Sequence, residues 1–129
     1  YSVIKDKPYK GKEVSYYVEP TQAPYAKGVF GNTPEMIAFF SDKLGVDFPW
    51  PKYAQIVGRD YVSGAMENTT ATLHQESAYQ NNRQLLDGNH WEETIAHELF
   101  HQWFGDLVTT ESWSNITVNE SFANYNDYL

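Results

Sequence analysis

Two segments of the chain carry apolar side chains at the three- and four-residue intervals typical of a helix. The first segment begins at residues 33–35, where a threonine, a proline and a glutamate provide a capping hydroxyl, a favourable first helical residue and an acid in the first turn. We predict a helix that Thr33 caps and Gly45 ends. Its apolar stripe has four members: Met36, Ile37, Phe40 and Leu44.

The second apolar segment predicts a helix over about residues 90–104, with Gly105 as its stop. Asn89 and Glu92 resemble a capping box in which asparagine replaces serine or threonine. The apolar side chains cover a wide arc of this helix, so we expect it to be mostly buried. These side chains are Trp91, Ile95, Ala96, Leu99, Phe100, Trp103 and Phe104.

β-prone residues dominate the first part of the chain. Residues 1–20 predict a pair of strands on either side of residues 10–11, and residues 53–57 and 70–74 predict two further short strands. A last helix is expected to begin near residues 119–120. Strands therefore come first and helices later, which predicts an α+β fold in a single, partial domain.

Composition narrows the classes of function. The 129 residues are 41% hydrophobic and carry a formal net charge of -8 without any basic run, which argues against nucleic-acid binding. The chain has no cysteine, so a thiolate metal site is impossible. We see no apolar run near the roughly 18 residues that a membrane span needs, and we assign no compartment. The first residue, Tyr1, and the uncapped end suggest processing boundaries on both sides.

His97 and His101 form the central chemical feature. Residues four apart lie on one face of a helix, so both imidazoles can bind the same Zn²⁺ ion. Glu98 points about 100° away around the helix axis, beside the metal, where it can accept a proton from a water bound to zinc. The alternative is a pair of hydrogen-bonded core histidines. His74 and His90 lie outside this spacing, and we expect them to be surface or polar-network residues.

A second segment supplies a candidate third ligand. Glu120 follows His101 after 18 intervening residues and would lie on the last predicted helix. A catalytic zinc site needs three protein ligands and one open position, and a carboxylate is a suitable third ligand. Asp127 lies two helical turns after Glu120, where it could accept the free N–H of a ligand histidine. The alternative for Asp127 is a solvated surface acid.

The stretch Gly-Ala-Met-Glu-Asn at residues 64–68 precedes the His-Glu-Leu-Phe-His motif by about thirty residues, and the Asn-Glu pair at 119–120 follows it. In this order the three motifs resemble the aminopeptidase N family of gluzincins, which includes leukotriene hydrolase. The resemblance implies one half of a thermolysin-like zincin catalytic domain, with a small N-terminal sheet and helices that carry the zinc site. Residues 1–24 would lead in from a preceding domain, and residues 25–129 would form the truncated core.

The resemblance also implies a role for each motif. His97, His101 and Glu120 would bind one Zn²⁺ ion, and Glu98 would be the general base. The remaining stretch would bind peptide substrates that have a free N-terminus: Gly64, Ala65, Met66, Glu67 and Asn68. Within it, the glutamate would hold the α-amine, and the first two residues would offer backbone groups along an edge strand. The implied function is removal of N-terminal residues from peptides.

Some family features are changed or lie outside these residues. Ser121 follows the third ligand, where the family pattern has glycine. The family's oxyanion-stabilising tyrosine lies downstream, and part of its amine site comes from a preceding domain. Flanking domains of the same polypeptide are therefore implied partners, and we expect the 129 residues alone to have little or no activity. Two alternatives stay open: an epoxide hydrolase or other hydrolase of the family, and a non-catalytic zinc- or partner-binding domain.

Overall fold

A five-stranded mixed sheet forms the base of the structure, a computed structural model that describes residues 1–125. Its strands are β1 (Ser2–Lys5), β2 (Glu13–Val18), β3 (Lys52–Gly58), β4 (Ala65–Met66) and β5 (Ala71–Gln75). The spatial order is β1-β2-β3-β5-β4. The outer pairs β1/β2 and β4/β5 are antiparallel, whereas β2/β3 and β3/β5 are parallel. The predicted N-terminal strand pair is confirmed, and it joins the same sheet as the later strands.

Within residues 1–125, five α-helices accompany the sheet. They are α1 (Ala26–Phe30), α2 (Thr33–Leu44), α3 (Asn82–Leu85), α4 (Glu92–Phe100) and α5 (Thr117–Tyr125). The α+β composition is confirmed, but the predicted order of strands first and helices later is wrong. Two helices lie between β2 and β3 because a parallel strand pair needs a crossover connection. No helix within residues 1–125 is both long and apolar enough to cross a bilayer. The division at residues 24 and 25 stays a prediction.

Aromatic side chains between the sheet and the helices form the centre of the core. Phe40 of α2 contacts Phe100 of α4 edge to face, with ring centroids 5.1 Å apart. Phe48 contacts both Trp103 and Tyr53 in the same manner, at 5.5 Å and 5.6 Å. Such pairs are favourable beyond the apolar area that they bury. They hold the end of α4 against α2 and β3.

Helix α2 agrees with the prediction except at its first residue. Thr33 lies inside the helix and is fully buried, and Asn32 occupies the capping position without a side-chain cap. The Thr33 hydroxyl accepts a hydrogen bond from Gln55 Nε2 at 2.6 Å, so it is not available to the helix end. Gly45 adopts φ of 66°, a left-handed conformation that ends the helix as expected.

Helix α4 is shorter than predicted, and the proposed capping box is wrong. The helix covers residues 92–100 instead of 90–104, and a series of tight turns follows it. Asn89 Oδ1 accepts from the backbone N–H of Trp91, while Glu92 Oε1 accepts from Asn32 Nδ2. The two residues therefore have other partners. The structure has a genuine capping box at Asn81 and Gln84, which begins the short helix α3.

Two further boundaries differ from the predictions by a few residues. Helix α5 begins at Thr117 instead of residues 119–120. Strand β5 begins at Ala71, one residue after the predicted start, because Thr70 adopts φ of 65° and cannot continue a strand. Strand β4 pairs only with β5 among the described strands and therefore lies at an edge of the sheet.

His74 lies in a buried polar network, one of the two placements expected for it. Its Nε2 faces Gln55 Oε1 at 2.9 Å, and its Nδ1 accepts a hydrogen bond from Trp91 Nε1 at 3.0 Å. These contacts indicate a neutral ring with its proton on Nε2. Burial lowers the pKa of His74 to about 3 from its ordinary value of 6.5.

The buried neutral state of His74 predicts a specific loss of stability in acid. The unfolded chain binds a proton at His74 below pH 6.5, whereas the folded chain does so only near pH 3. The stabilisation is present above pH 6.5 and is lost as the pH falls towards 3. Between pH 7 and pH 4 we expect the free energy of unfolding to lose about 3 kcal/mol more in the wild-type chain than in His74→Gln.

Urea unfolding followed by tryptophan fluorescence at several pH values measures this difference. The exposed His90 provides the matched control, and we expect His90→Gln to follow the wild-type pH profile. Equal acid sensitivity of the wild-type chain and His74→Gln would contradict the assignment.

Candidate metal centre

Three potential ligand atoms converge where α4 ends and α5 begins. His97 Nε2 and His101 Nε2 lie 3.0 Å apart. Glu120 faces each histidine with one carboxylate oxygen: its Oε2 lies 3.5 Å from His97 Nε2, and its Oε1 lies 3.6 Å from His101 Nε2. Ligands at about 2.0–2.1 Å from a tetrahedral zinc ion lie roughly 3.3 Å from one another. The donor set and its separations therefore fit one divalent cation.

His101 is held in the orientation that a metal ligand needs. Its Nδ1 lies 2.9 Å from the carbonyl oxygen of Phe104 and donates to it, which leaves the lone pair of Nε2 directed at the cluster. Gly105 makes this turn possible with φ of 137°. A Cβ atom there would lie 3.1 Å from His101 Nδ1 and 3.2 Å from its carbonyl oxygen. The positive φ therefore favours glycine, and a larger residue would crowd His101.

Stacked aromatic rings attach α5 to the end of α4. Phe104 and Phe122 stack with ring centroids 4.7 Å apart and an interplanar angle of 12°. Ala123 is fully buried in the same contact region. Asn119 Oδ1 accepts a hydrogen bond from the backbone N–H of Thr110, which fixes the first turn of α5. Together these contacts bring Glu120 to the two histidines.

Glu98 is buried beside the candidate metal ligands and is only 7% exposed. Its Oε2 has no hydrogen-bond partner in the described part of the chain. Burial, with added repulsion from Glu67, Glu120 and Asp106, raises the pKa of Glu98 to about 8. A divalent cation at the neighbouring ligands would oppose this effect and favour the carboxylate.

A second carboxylate faces the same place from the sheet edge. Ligand atoms of Glu67, Glu98 and His101 all lie within 4.8 Å of one another. Beside them is a cleft of about 340 Å³. Its lining residues are Ser63, Gly64, Ala65, Glu93, Thr94, His97, Glu98 and Asn124. The two helices and the edge of β4 thus border one cavity, and four of the predicted site residues line it: Gly64, Ala65, His97 and Glu98.

The remaining predicted residues have different surroundings. Met66 lies on β4 and is exposed. The carbonyl oxygen of Asn68 accepts from the backbone N–H of Ala71 in the turn that follows. Asp127 lies outside the described residues, so its proposed contact with a ligand histidine stays a prediction.

Sequence reasoning did not identify several residues around the cleft. Burial raises the pKa of Asp106 to about 6, and the carboxylate of Glu67 adds to the effect. Gln102 is fully buried and hydrogen-bonded to residues beside the cleft. Glu93 and Asn124 line the cleft itself. The one signal in the sequence was that Gln102 directly follows His101 on a helix expected to be mostly buried. A buried amide side chain needs hydrogen-bond partners, so a role beside the site could have been expected.

Comparison with known proteins gives the family to which this chain belongs. The model of the peptidase family M1 domain matches residues 29–129. The chain belongs to this family of peptidases. The predicted resemblance to the aminopeptidase N family is thereby confirmed.

The relatives with similar sequences are named as aminopeptidases. Aminopeptidase N of Mus musculus is 35% identical over an alignment of 127 positions, which covers 92% of this chain and 13% of the relative. Endoplasmic reticulum aminopeptidase 1 of Homo sapiens is 34% identical over an alignment of 127 positions, which also covers 92% of this chain and 13% of the relative. Aminopeptidase M1-B of Oryza sativa subsp. japonica is 30% identical over an alignment of 132 positions, which covers 100% of this chain and 15% of the relative. The chain thus spans a small part of the length of these relatives.

The convergence of ligand atoms predicts that Zn²⁺ stabilises the chain. At a free concentration of 100 times its dissociation constant, the ion should raise the free energy of unfolding by about 2.7 kcal/mol. His97→Gln should weaken binding by more than about 100-fold, because changes to groups that only orient a ligand already cost about 10- to 100-fold. Calorimetric titration of the 129-residue chain measures the affinity.

The exposed His90 again supplies the matched control. His90→Gln should bind Zn²⁺ as the wild type does. If His97→Gln and His90→Gln bind with equal affinity, the ion is held elsewhere and the assigned ligand set is wrong.

Proposed function

We propose that this chain carries the catalytic centre of a zinc aminopeptidase, within one half of a thermolysin-like zincin domain. His97, His101 and Glu120 hold one Zn²⁺ ion, and Glu98 is the general base. One observation carries the proposal: three ligand atoms within 4.8 Å of one another lie beside a buried carboxylate whose Oε2 has no partner in the described chain. Membership of the M1 peptidase family supports it.

A zinc ion at these ligands supplies a Lewis acid that acidifies water and polarises a carbonyl group. Glu98 provides the proton transfer. Its Oε2 accepts a proton from the attacking water and returns that proton to the nitrogen of the leaving amine. Burial strengthens this role, since a carboxylate removed from bulk water is a stronger base than a solvated one.

Glu67 explains why cleavage would occur at a chain terminus. Its carboxylate holds the free α-amine of the substrate by a charge-assisted hydrogen bond, close to Glu98 and His101. Gly64 and Ala65 present backbone groups to the peptide at the edge of the sheet, and Met66 and its neighbour Asn68 complete this substrate-binding stretch. Because Glu67 lies close to Glu98 and His101, an amine bound there would place the first peptide bond near the metal site.

Two other functions are compatible with the same family. The first is an epoxide hydrolase or another hydrolase that uses the same ligands. The second is a non-catalytic domain that binds zinc or a partner. The carboxylate of Glu67 beside the ligands favours a substrate with a free amine over both.

Glu98→Gln in the full-length protein tests the general base. The amide cannot accept the proton, so kcat for an amino-acid anilide should fall by about 10²–10⁴-fold, while zinc content remains that of the wild type. Glu35→Gln, a change to an exposed glutamate on α2 that does not line the cleft, is the matched control and should retain most of the activity. Metal analysis and initial-rate measurements give both quantities.

Substrate choice separates the competing functions. The wild type should cleave a free amino-acid anilide and leave its N-acetylated form intact, because only the former has the amine that Glu67 binds. Glu98→Gln with undiminished turnover would exclude the assigned base. Cleavage of internal peptide bonds or of an epoxide in preference to the anilide would favour another hydrolase.

The 129-residue chain should be far less active than the full-length protein. The chain covers only 13% of aminopeptidase N of Mus musculus, and the other parts of such a protein would supply the oxyanion donor. Loss of one such donor costs about 100- to 1,000-fold in turnover. Anilide hydrolysis by equal concentrations of both proteins, each with bound zinc, measures the difference. Equal turnover would contradict this division of the catalytic groups.

A further inference from the structure

We propose that Gln102 is a positioning residue that fixes the distance between the amine-binding Glu67 and the metal ligands. The inference rests on the proposed function, because it assigns the substrate amine to Glu67. Gln102 directly follows His101 in the chain and is fully buried. It therefore extends from the metal-binding segment into the protein and not into the cleft.

The side chain of Gln102 bridges two elements that the chain topology does not connect. Its Oε1 accepts a hydrogen bond from the backbone N–H of Thr70 at 2.9 Å. Its Nε2 donates to the carbonyl oxygen of Glu67 at 3.3 Å. Its own carbonyl oxygen accepts from Trp50 Nε1 at 2.9 Å. The residue thus joins the end of α4 to the turn between β4 and β5.

The turn that Gln102 holds is conformationally strained. Thr70 adopts φ of 65°, which is unfavourable for a side chain branched at Cβ. Such a conformation persists only where the surroundings enforce it. Here the N–H of Thr70 is bound by Gln102, and its carbonyl oxygen accepts from the backbone N–H of Ala54 at 2.8 Å. Asn68 closes the turn by accepting from Ala71.

The consequence for Glu67 follows from its place in this turn. Its carbonyl is bound by Gln102, while its carboxylate lies within 4.8 Å of the ligand atoms of Glu98 and His101. A displacement of about 1 Å at a reacting group can cost roughly 100-fold in rate. An amide side chain suits this position because it donates and accepts at once, whereas a glutamate can only accept and a methionine can do neither.

The test compares Gln102→Met and Gln102→Glu in the full-length protein. With amino-acid anilides, Gln102→Met should lower kcat/KM by about 10- to 100-fold, mainly through a higher KM, with zinc content unchanged. Gln102→Glu keeps the acceptor for Thr70 but buries a carboxylate that faces the carbonyl oxygen of Glu67, so it should lose at least as much as Gln102→Met. In the Gln102→Met background, Thr70→Gly should recover part of the loss, because glycine adopts positive φ without strain.

Gln80 provides the matched control for a buried glutamine. It is also almost fully buried, but its Nε2 donates to the carbonyl oxygen of Gly88, away from the cleft. Gln80→Met should lower the stability of the fold and leave KM unchanged. An equal effect of Gln80→Met and Gln102→Met on KM would overturn the proposal, as would a folded, zinc-loaded Gln102→Met with wild-type kcat/KM.

Hydrogen exchange separates this inference from the proposed function. The Thr70 amide should lose protection about 10- to 100-fold in Gln102→Met, because its acceptor is gone, and keep it in Gln80→Met. Wild-type protein without aminopeptidase activity would refute the proposed function. In that case, unchanged protection of the Thr70 amide in Gln102→Met would also refute the link through Gln102. Reduced protection in Gln102→Met would still show that Gln102 orders this turn.

Discussion

The aromatic packing at the end of α4 is the interaction on which the rest of the site depends. Phe100 and Trp103 lie against the core formed by α2 and β3, so the last turn of α4 cannot rotate about its axis. Phe104, one residue further, stacks on Phe100 and also on Phe122 of α5. A single short segment therefore fixes both helices. These apolar contacts bring His101 and Glu120, the two proposed metal ligands, close to one another.

Electrostatics at this place favours a cation. The carboxylates of Glu67, Glu98, Asp106 and Glu120 lie near one another, and their mutual repulsion contributes to the raised pKa values of Glu98 and Asp106. Burying several like charges is unfavourable unless a positive charge offsets them. A divalent ion between the neutral imidazoles of two histidines would supply that charge and keep the nearby carboxylates ionised. The same arrangement favours a substrate that brings a positively charged amine.

The parts that sequence predicted are those set by local geometry. His97 and His101 are brought together by one helical turn, and motif order alone pointed to Glu120 as their companion. The parts that sequence missed depend on contacts between distant segments. The hydroxyl of Thr33 binds Gln55 instead of its helix end, and Glu92 binds Asn32 instead of closing a capping box. Local rules offer several partners for such side chains, and only the tertiary fold selects one.

Departures from ordinary local chemistry concentrate around the cleft. Lys10 and Asp60 also have positive φ, but they lie in exposed turns. Thr70 is β-branched, and its turn is hydrogen-bonded to Gln102, which follows α4. Glu98 is a buried carboxylate with one oxygen that no described residue satisfies. Each feature costs free energy that the surrounding core must offset. A fold retains such costs where function needs them, so the strained turn and the buried acid are best understood as two halves of one site.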